Sequence, residues 1–174
     1  MNGYTRNTSQ DDIPFLAVNL RDADKAEIAA ASGLATEVAL ERGYLHSKRC
    51  KTVCMSDGTP AAIYGVGDTD IKGLGSIWLL ATPDLIKIQR QFLRECREGI
   101  AEITQGYSCV FNYTDARNTV HHRWLKWCGF TFIKKHNHFG NGKLPFLEFV
   151  KITEVKYCLL YTSPSPRDRT RSRM

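Results

Sequence analysis

Between Gly75 and Thr114 the sequence reads strand, helix, strand, and this run constrains the fold more than any other. "GSIWLLAT" is a short apolar run bounded by turn residues, which predicts a buried strand. Thr82-Pro83-Asp84 follows, giving a capping residue, a proline suited to the first helical position and an acid for the first turn. Leu85, Ile88, Phe92, Cys96, Ile100 and Ile103 then recur at steps of three and four, so they share one face of a helix. "YSCVFNYT" predicts the next strand.

The flanking sequence extends this pattern. Asp22 is placed to cap a helix through "ADKAEIAAAS" that stops at Gly33, and Thr36 to cap "EVALER", stopping at Gly43. Residues 50–56 and 59–66 are β-like runs around Asp57-Gly58, a hairpin signal. Val120, Trp124, Leu125 and Cys128 form an apolar stripe that predicts a helix packed on a sheet, stopped by Gly129. "FTFIKKHNHF" and "LPFLEFVKI" close the chain as strands. The expected order is α-α-β-β-β-α-β-α-β-β, an α/β (α+β) fold with a mixed central sheet and helices on both faces.

Residues 1–157 are expected to form one domain. The 43% apolar and 24% charged content is that of a globular chain with a full core. No apolar run reaches membrane-spanning length, and the polar start "MNGYTRNTSQDD" is not a signal peptide. Six cysteines are scattered without a C-x-x-C pair, which favours reduced thiols; Cys50 and Cys54 lack the second half of a metal site. Residues 158–174 stand apart. Cys158 to Asp168 reads as a translated transposase sequencing adapter, and Ser172-Arg173-Met174 as translated flow-cell adapter, so this tail is expected to be non-native or disordered. Excluding it removes four arginines against one aspartate and lowers the net charge from +6 to +3.

Several side chains invite a chemical reading. His121 and His122 are adjacent, so on a helix they point about 100° apart and cannot easily clasp one ion. His121 is the candidate catalytic residue of the pair, since imidazole titrates near neutrality, against an ordinary exposed histidine. Lys87, Arg90, Arg94 and Arg97 share one helix face and are candidates for binding an anion or an acidic partner, but Glu95 and Glu98 dilute their charge. Nucleic acid is therefore not the expected partner. His136 and His138 would share a strand face around an Asn141-Gly142 hairpin, with no acidic or cysteine partner at ligand spacing, so no metal site is expected.

Two resemblances rest on these motifs. The element order, with Asn118 eleven residues before Gly129-Phe130, resembles the GCN5-related N-acetyltransferase (GNAT) fold. Ser76 to Ile152, with its "N-T-x-H-x-R-W-L-K-x-x-G" run, resembles the internal virion protein A family of T7-type phages. The resemblances imply a GNAT-like scaffold and a non-enzymatic role in virion morphogenesis or genome delivery. That role works through contacts with other phage proteins, in the host cytoplasm or the virion, and no cofactor is expected. The alternative is a divergent acyl-CoA-dependent N-acyltransferase using acetyl-CoA, for which Leu80, Ala81 and Asn118 are the candidate cofactor-binding positions. GNAT enzymes hold the coenzyme's pyrophosphate in an Arg/Gln-x-x-Gly-x-Gly/Ala loop. Aligned on Pro83-Asp84, those positions carry Ile86, Gln89 and Gln91, and no glycine occurs between Gly75 and Gly99. Where many relatives carry a tyrosine acid, this chain has Leu125, which cannot donate a proton.

Overall fold

The structure is a computed structural model that describes residues 3–153. The tail read as adapter, 158–174, lies outside the described residues. The elements run β1 (Gly3–Asn7), α1 (Asp12–Asn19), α2 (Asp22–Ser32), α3 (Thr36–His46), β2 (Ser47–Met55), β3 (Pro60–Asp68) and β4 (Leu74–Ala81). A 3-10 turn (Pro83–Ile88) leads into α4 (Gln89–Ile103), followed by β5 (Cys109–Asp115), α5 (Thr119–Trp127), β6 (Thr131–Phe139) and β7 (Leu144–Ile152).

The seven strands form one mixed sheet in the order β1-β2-β3-β4-β5-β7-β6. β4 and β5 are parallel, and the remaining neighbours are antiparallel. Helices α1–α3 cover one face over a core of Ile13, Leu16, Leu20, Ile28, Leu40 and Ile63. The other face is covered by α4 and α5, with Ile88, Cys96, Ile100 and Ile103 buried as their spacing predicts. No helix among the described residues is long and apolar enough to cross a membrane.

The expected fold class holds, with local corrections. β1 and α1 precede the elements read from sequence; the Arg6 guanidinium joins them by donating to both carboxylate oxygens of Asp12, at 2.7 and 2.6 Å. Asp22 and Thr36 are the first residues inside their helices and cap neither; Arg21 and Ala35 hold the cap positions. Thr82 holds the cap position before the 3-10 turn, but its hydroxyl donates to the Ala61 carbonyl instead of closing the helix. α3 continues through Gly43 because that glycine answers to packing: a Cβ there would sit 3.0 Å from the Trp78 ring. Gly33 does end α2, in the left-handed conformation at φ 70°. Val120 falls outside the α5 core stripe and is 62% exposed, whereas Leu125 and Cys128 are buried.

Candidate active site

The ladder between β4 and β5 is short. It joins Leu74, Gly75 and Ser76 to Cys109, Val110 and Phe111, and there the two strands part. The Asn112 side-chain amide donates to the Ile77 carbonyl at 2.7 Å, bridging the base of the fork. At its far end the Ala81 N–H donates to Asp24 Oδ2 at 2.9 Å, and the Ala81 carbonyl accepts from the Arg21 N–H at 2.9 Å. Backbone groups alternate along a strand, so the Leu79 N–H and C=O face the fork between these two occupied positions, beyond the reach of the β5 ladder. An inward-facing strand edge of this kind needs a partner.

Around the fork lies a cavity of about 360 Å³ whose walls include Trp78, Leu80, Tyr113, Phe139 and Phe146. One carboxyl enters this largely apolar space. Glu27, on the inner face of α2, accepts from Thr114 Oγ1 at 3.2 Å and from Asn118 Nδ2 at 3.5 Å. Burial pushes its pKa up to about 7, only partly offset by the N–H of Asp115 and the Asn118 amide. α2 is pinned against this end of the sheet by the β6–β7 turn, where the N–H groups of Asn141 and Gly142 donate to the carbonyls of Ala31 and Ala30. Gly140 lets that contact form: a Cβ there would lie 2.4 Å from the Ala31 carbonyl oxygen.

His121 also lines the cavity. It is not the exposed, near-neutral histidine expected from sequence. Burial, with Arg21 and His122 nearby, depresses its pKa to about 3, so the ring stays neutral. His122 turns away, its Nε2 placed 2.9 Å from the Asp115 carbonyl. Asn118 caps α5 by accepting from the His121 N–H, while its amide reaches Glu27. Among the other candidates, the Leu80 side chain faces α1–α3 and the cavity, and Ala81 is held through its backbone as described. Sequence reading missed Glu27 and Tyr113. Nothing local distinguishes Glu27 from any other helical glutamate.

Three comparisons with solved structures agree. The ribosomal-protein-S18-alanine N-acetyltransferase of Escherichia coli superposes with a TM-score of 0.65 at 15% identity, over 92% of this chain and 99% of that one. A GNAT-family acetyltransferase from Bacillus anthracis gives 0.66 at 8% identity, over 89% and 97%. Spermidine N-acetyltransferase from Vibrio cholerae, in complex with CoA and spermine, gives 0.64 at 12% identity, over 87% and 95%. The chain has the GNAT fold. No family model matches the sequence, and neither does any curated protein.

The segment that the resemblance sets at the coenzyme's pyrophosphate carries no glycine between Gly75 and Gly99. Pro83–Ile88 is a 3-10 turn, and the α-helical first turn begins only at Gln89. Gln91 is clipped to the edge strand, accepting from the Gly3 N–H and donating to its carbonyl, both at 2.8 Å. Phe92 stacks on Trp124 with centroids 5.9 Å apart, closing α4 onto α5. The four basic candidates are also divided: Lys87 pairs with Asp84 at 2.8 Å, and the Arg97 guanidinium donates to the Trp127 carbonyl and lies over the Trp127 ring at 4.2 Å. Arg90 and Arg94 remain exposed on the helix surface. His136, which has no acidic residue at ligand spacing in the sequence, pairs with Glu148 at 2.8 Å. It does so across the β6–β7 ladder, a contact that linear spacing hides.

Proposed function

We propose that the chain is a divergent GNAT-type N-acyltransferase with its reaction centre in the β4–β5 fork. The observation that carries this reading is Glu27, a carboxyl poised at about 7 at the edge of an apolar cavity. A base of that strength suits removal of a proton from an amine near neutral pH. Glu27 takes that proton, Asn118 and Thr114 orient the carboxylate, and the Leu79 N–H faces the same space as a donor for developing negative charge. Tyr113 lines the cavity as a hydroxyl donor where Leu125, buried in the core, cannot serve. The donor class is an acyl thioester engaged through strand-edge pairing in the fork, with little contribution from its phosphates. Incubating the chain with millimolar acetyl-CoA and a panel of primary amines, and following thiol release, tests this. Amine-dependent release is expected, and its absence across the panel overturns the reading.

A second reading has its own support. The glutamine clip at Gly3 and the Phe92–Trp124 stack knit α4 to the edge strand and to α5 by packing contacts. This favours a scaffold acting through protein contacts, the virion morphogenesis role implied by the resemblance to internal virion protein A. Neighbouring capsid and portal genes, together with no transfer in the amine panel, would select it.

A further inference from the structure

α4 and α5 are joined at a second point, by sulfur. Cys96, midway along α4, and Cys128, at the C-cap of α5, place their Sγ atoms 3.6 Å apart. They come from different elements and are 32 residues apart in sequence, so the contact is set by tertiary packing. Both are buried, Cys128 at 1% exposure and Cys96 at 8%. Their surroundings differ. Cys96 lines a second cavity of about 410 Å³ between α4 and strands β1–β4, alongside Tyr4, Tyr64 and Trp124, whereas Cys128 is sealed behind it. A small solute therefore meets Cys96 first.

We propose that Cys96 and Cys128 are a dithiol modification site that a hydroperoxide oxidant converts to an intramolecular disulfide, fixing α4 to α5. The Cys96 thiolate attacks one peroxide oxygen and breaks the O–O bond, giving a sulfenic acid and hydroxide. The Cys128 sulfur then attacks the Cys96 sulfur, its proton leaving with the sulfenic oxygen as water, while the proton that Cys96 released on forming its thiolate neutralises the hydroxide. Two thiols and one peroxide become one disulfide and two waters. Charge placement agrees with this order. The Cys96 pKa is lowered to about 7, first by the hydrogen bond from Cys128 and also by the nearby Arg97 guanidinium, while Cys128 is raised. The sulfurs, 3.6 Å apart, must close by about 1.5 Å to reach a disulfide. The disulfide would replace the Phe92–Trp124 and Arg97–Trp127 contacts as the limit on how far these helices part. It would thus act beside Trp124, which lines both cavities.

The test is peroxide titration of the folded, reduced chain, read by intact mass, by a non-reducing peptide map and by melting temperature. The expected result is a loss of two hydrogens and a cross-linked pair containing Cys96 and Cys128. A melting temperature that rises and returns on reduction should accompany them. In Cys128→Ser, dimedone should label Cys96, because the sulfenic acid has lost its resolving partner. If Cys96 and Cys128 stay alkylatable after Cys50 and Cys109 have oxidised, or if dimedone fails to label Cys96 in folded Cys128→Ser, the proposal is overturned.

Discussion

Asn112 donates its side-chain amide to the carbonyl of Ile77 at 2.7 Å, just past the last residues that β4 and β5 share. This bond lets two parallel strands part without leaving that carbonyl unpaired inside the sheet. Asn112→Ala should cost about 1–3 kcal/mol, the usual penalty for stranding a buried acceptor. Asn112→Asp should cost at least as much above the carboxyl's own pKa, because a carboxylate cannot donate. Urea unfolding of both variants measures this; a change within about 0.5 kcal/mol for either would mean that the fork does not depend on the bridge.

Glu27 makes stability depend on pH in a defined direction. Its folded pKa of about 7 lies above its ordinary value of 4.5, so the folded state binds the extra proton. Stability is therefore lost as pH rises from about 4.5 through 7. Glu27→Gln removes that dependence. The variant should gain roughly 1–3 kcal/mol relative to the parent between pH 5 and pH 8.5. Paired thermal melts across that range check the sign, and parallel curves for the two proteins would refute a buried, perturbed carboxyl.

Trp124 carries a buried indole N–H with no partner at hydrogen-bonding distance among the described residues, the Cys96 sulfur being the acceptor beside it. Trp124→Phe keeps an aromatic against Phe92 while deleting the stranded donor, so it should change stability by less than about 1 kcal/mol. Trp124→Ala empties the α4–α5 seam and should cost about 3 kcal/mol, the low end for a large aromatic because this one is only partly buried. Equal losses for the two variants would show that the N–H is bonded after all.

Acetyl-CoA should bind at millimolar strength. Each missing charge-assisted bond to a pyrophosphate forfeits roughly 1.5–3 kcal/mol, and two such losses weaken a micromolar ligand by about two to four orders of magnitude. Ile86→Arg combined with Gln89→Gly and Gln91→Gly should tighten binding. It should also loosen β1, since Gln91 holds Gly3 by two bonds; a cost of about 2–3 kcal/mol follows from those bonds and the helical glycines. Calorimetric titration decides it, and a micromolar dissociation constant for the unaltered chain would contradict the predicted loss of phosphate contacts.

The sequence was most informative where periodicity and local turn chemistry act alone. The α4 stripe from Ile88 to Ile103, the Asp57-Gly58 hairpin and the Asn118–Gly129 helix all stand where their residues predict. β1 escaped notice because "GYTRN" is a polar edge strand with no apolar alternation, and α1 because Pro14 stands in its first turns. The site was harder still. Glu27 matters only because Gly140 and Gly142 dock α2 beside Thr114 and Asn118, residues about 90 positions away. His121 misled for the same reason, since it shares the cavity wall with Glu27 and Ile28 of α2, and the Arg21 charge helps to keep its ring neutral.

The most direct test is the pH profile of acyl transfer at saturating amine and millimolar acetyl-CoA, for the parent chain and for Glu27→Gln. If Glu27 is the base in the fork, turnover should rise through an apparent pKa near 7 and fall by about a hundredfold or more in the variant, which should fold at least as stably. Turnover that is unaffected by Glu27→Gln, or no transfer by the parent at any pH, would contradict the assignment.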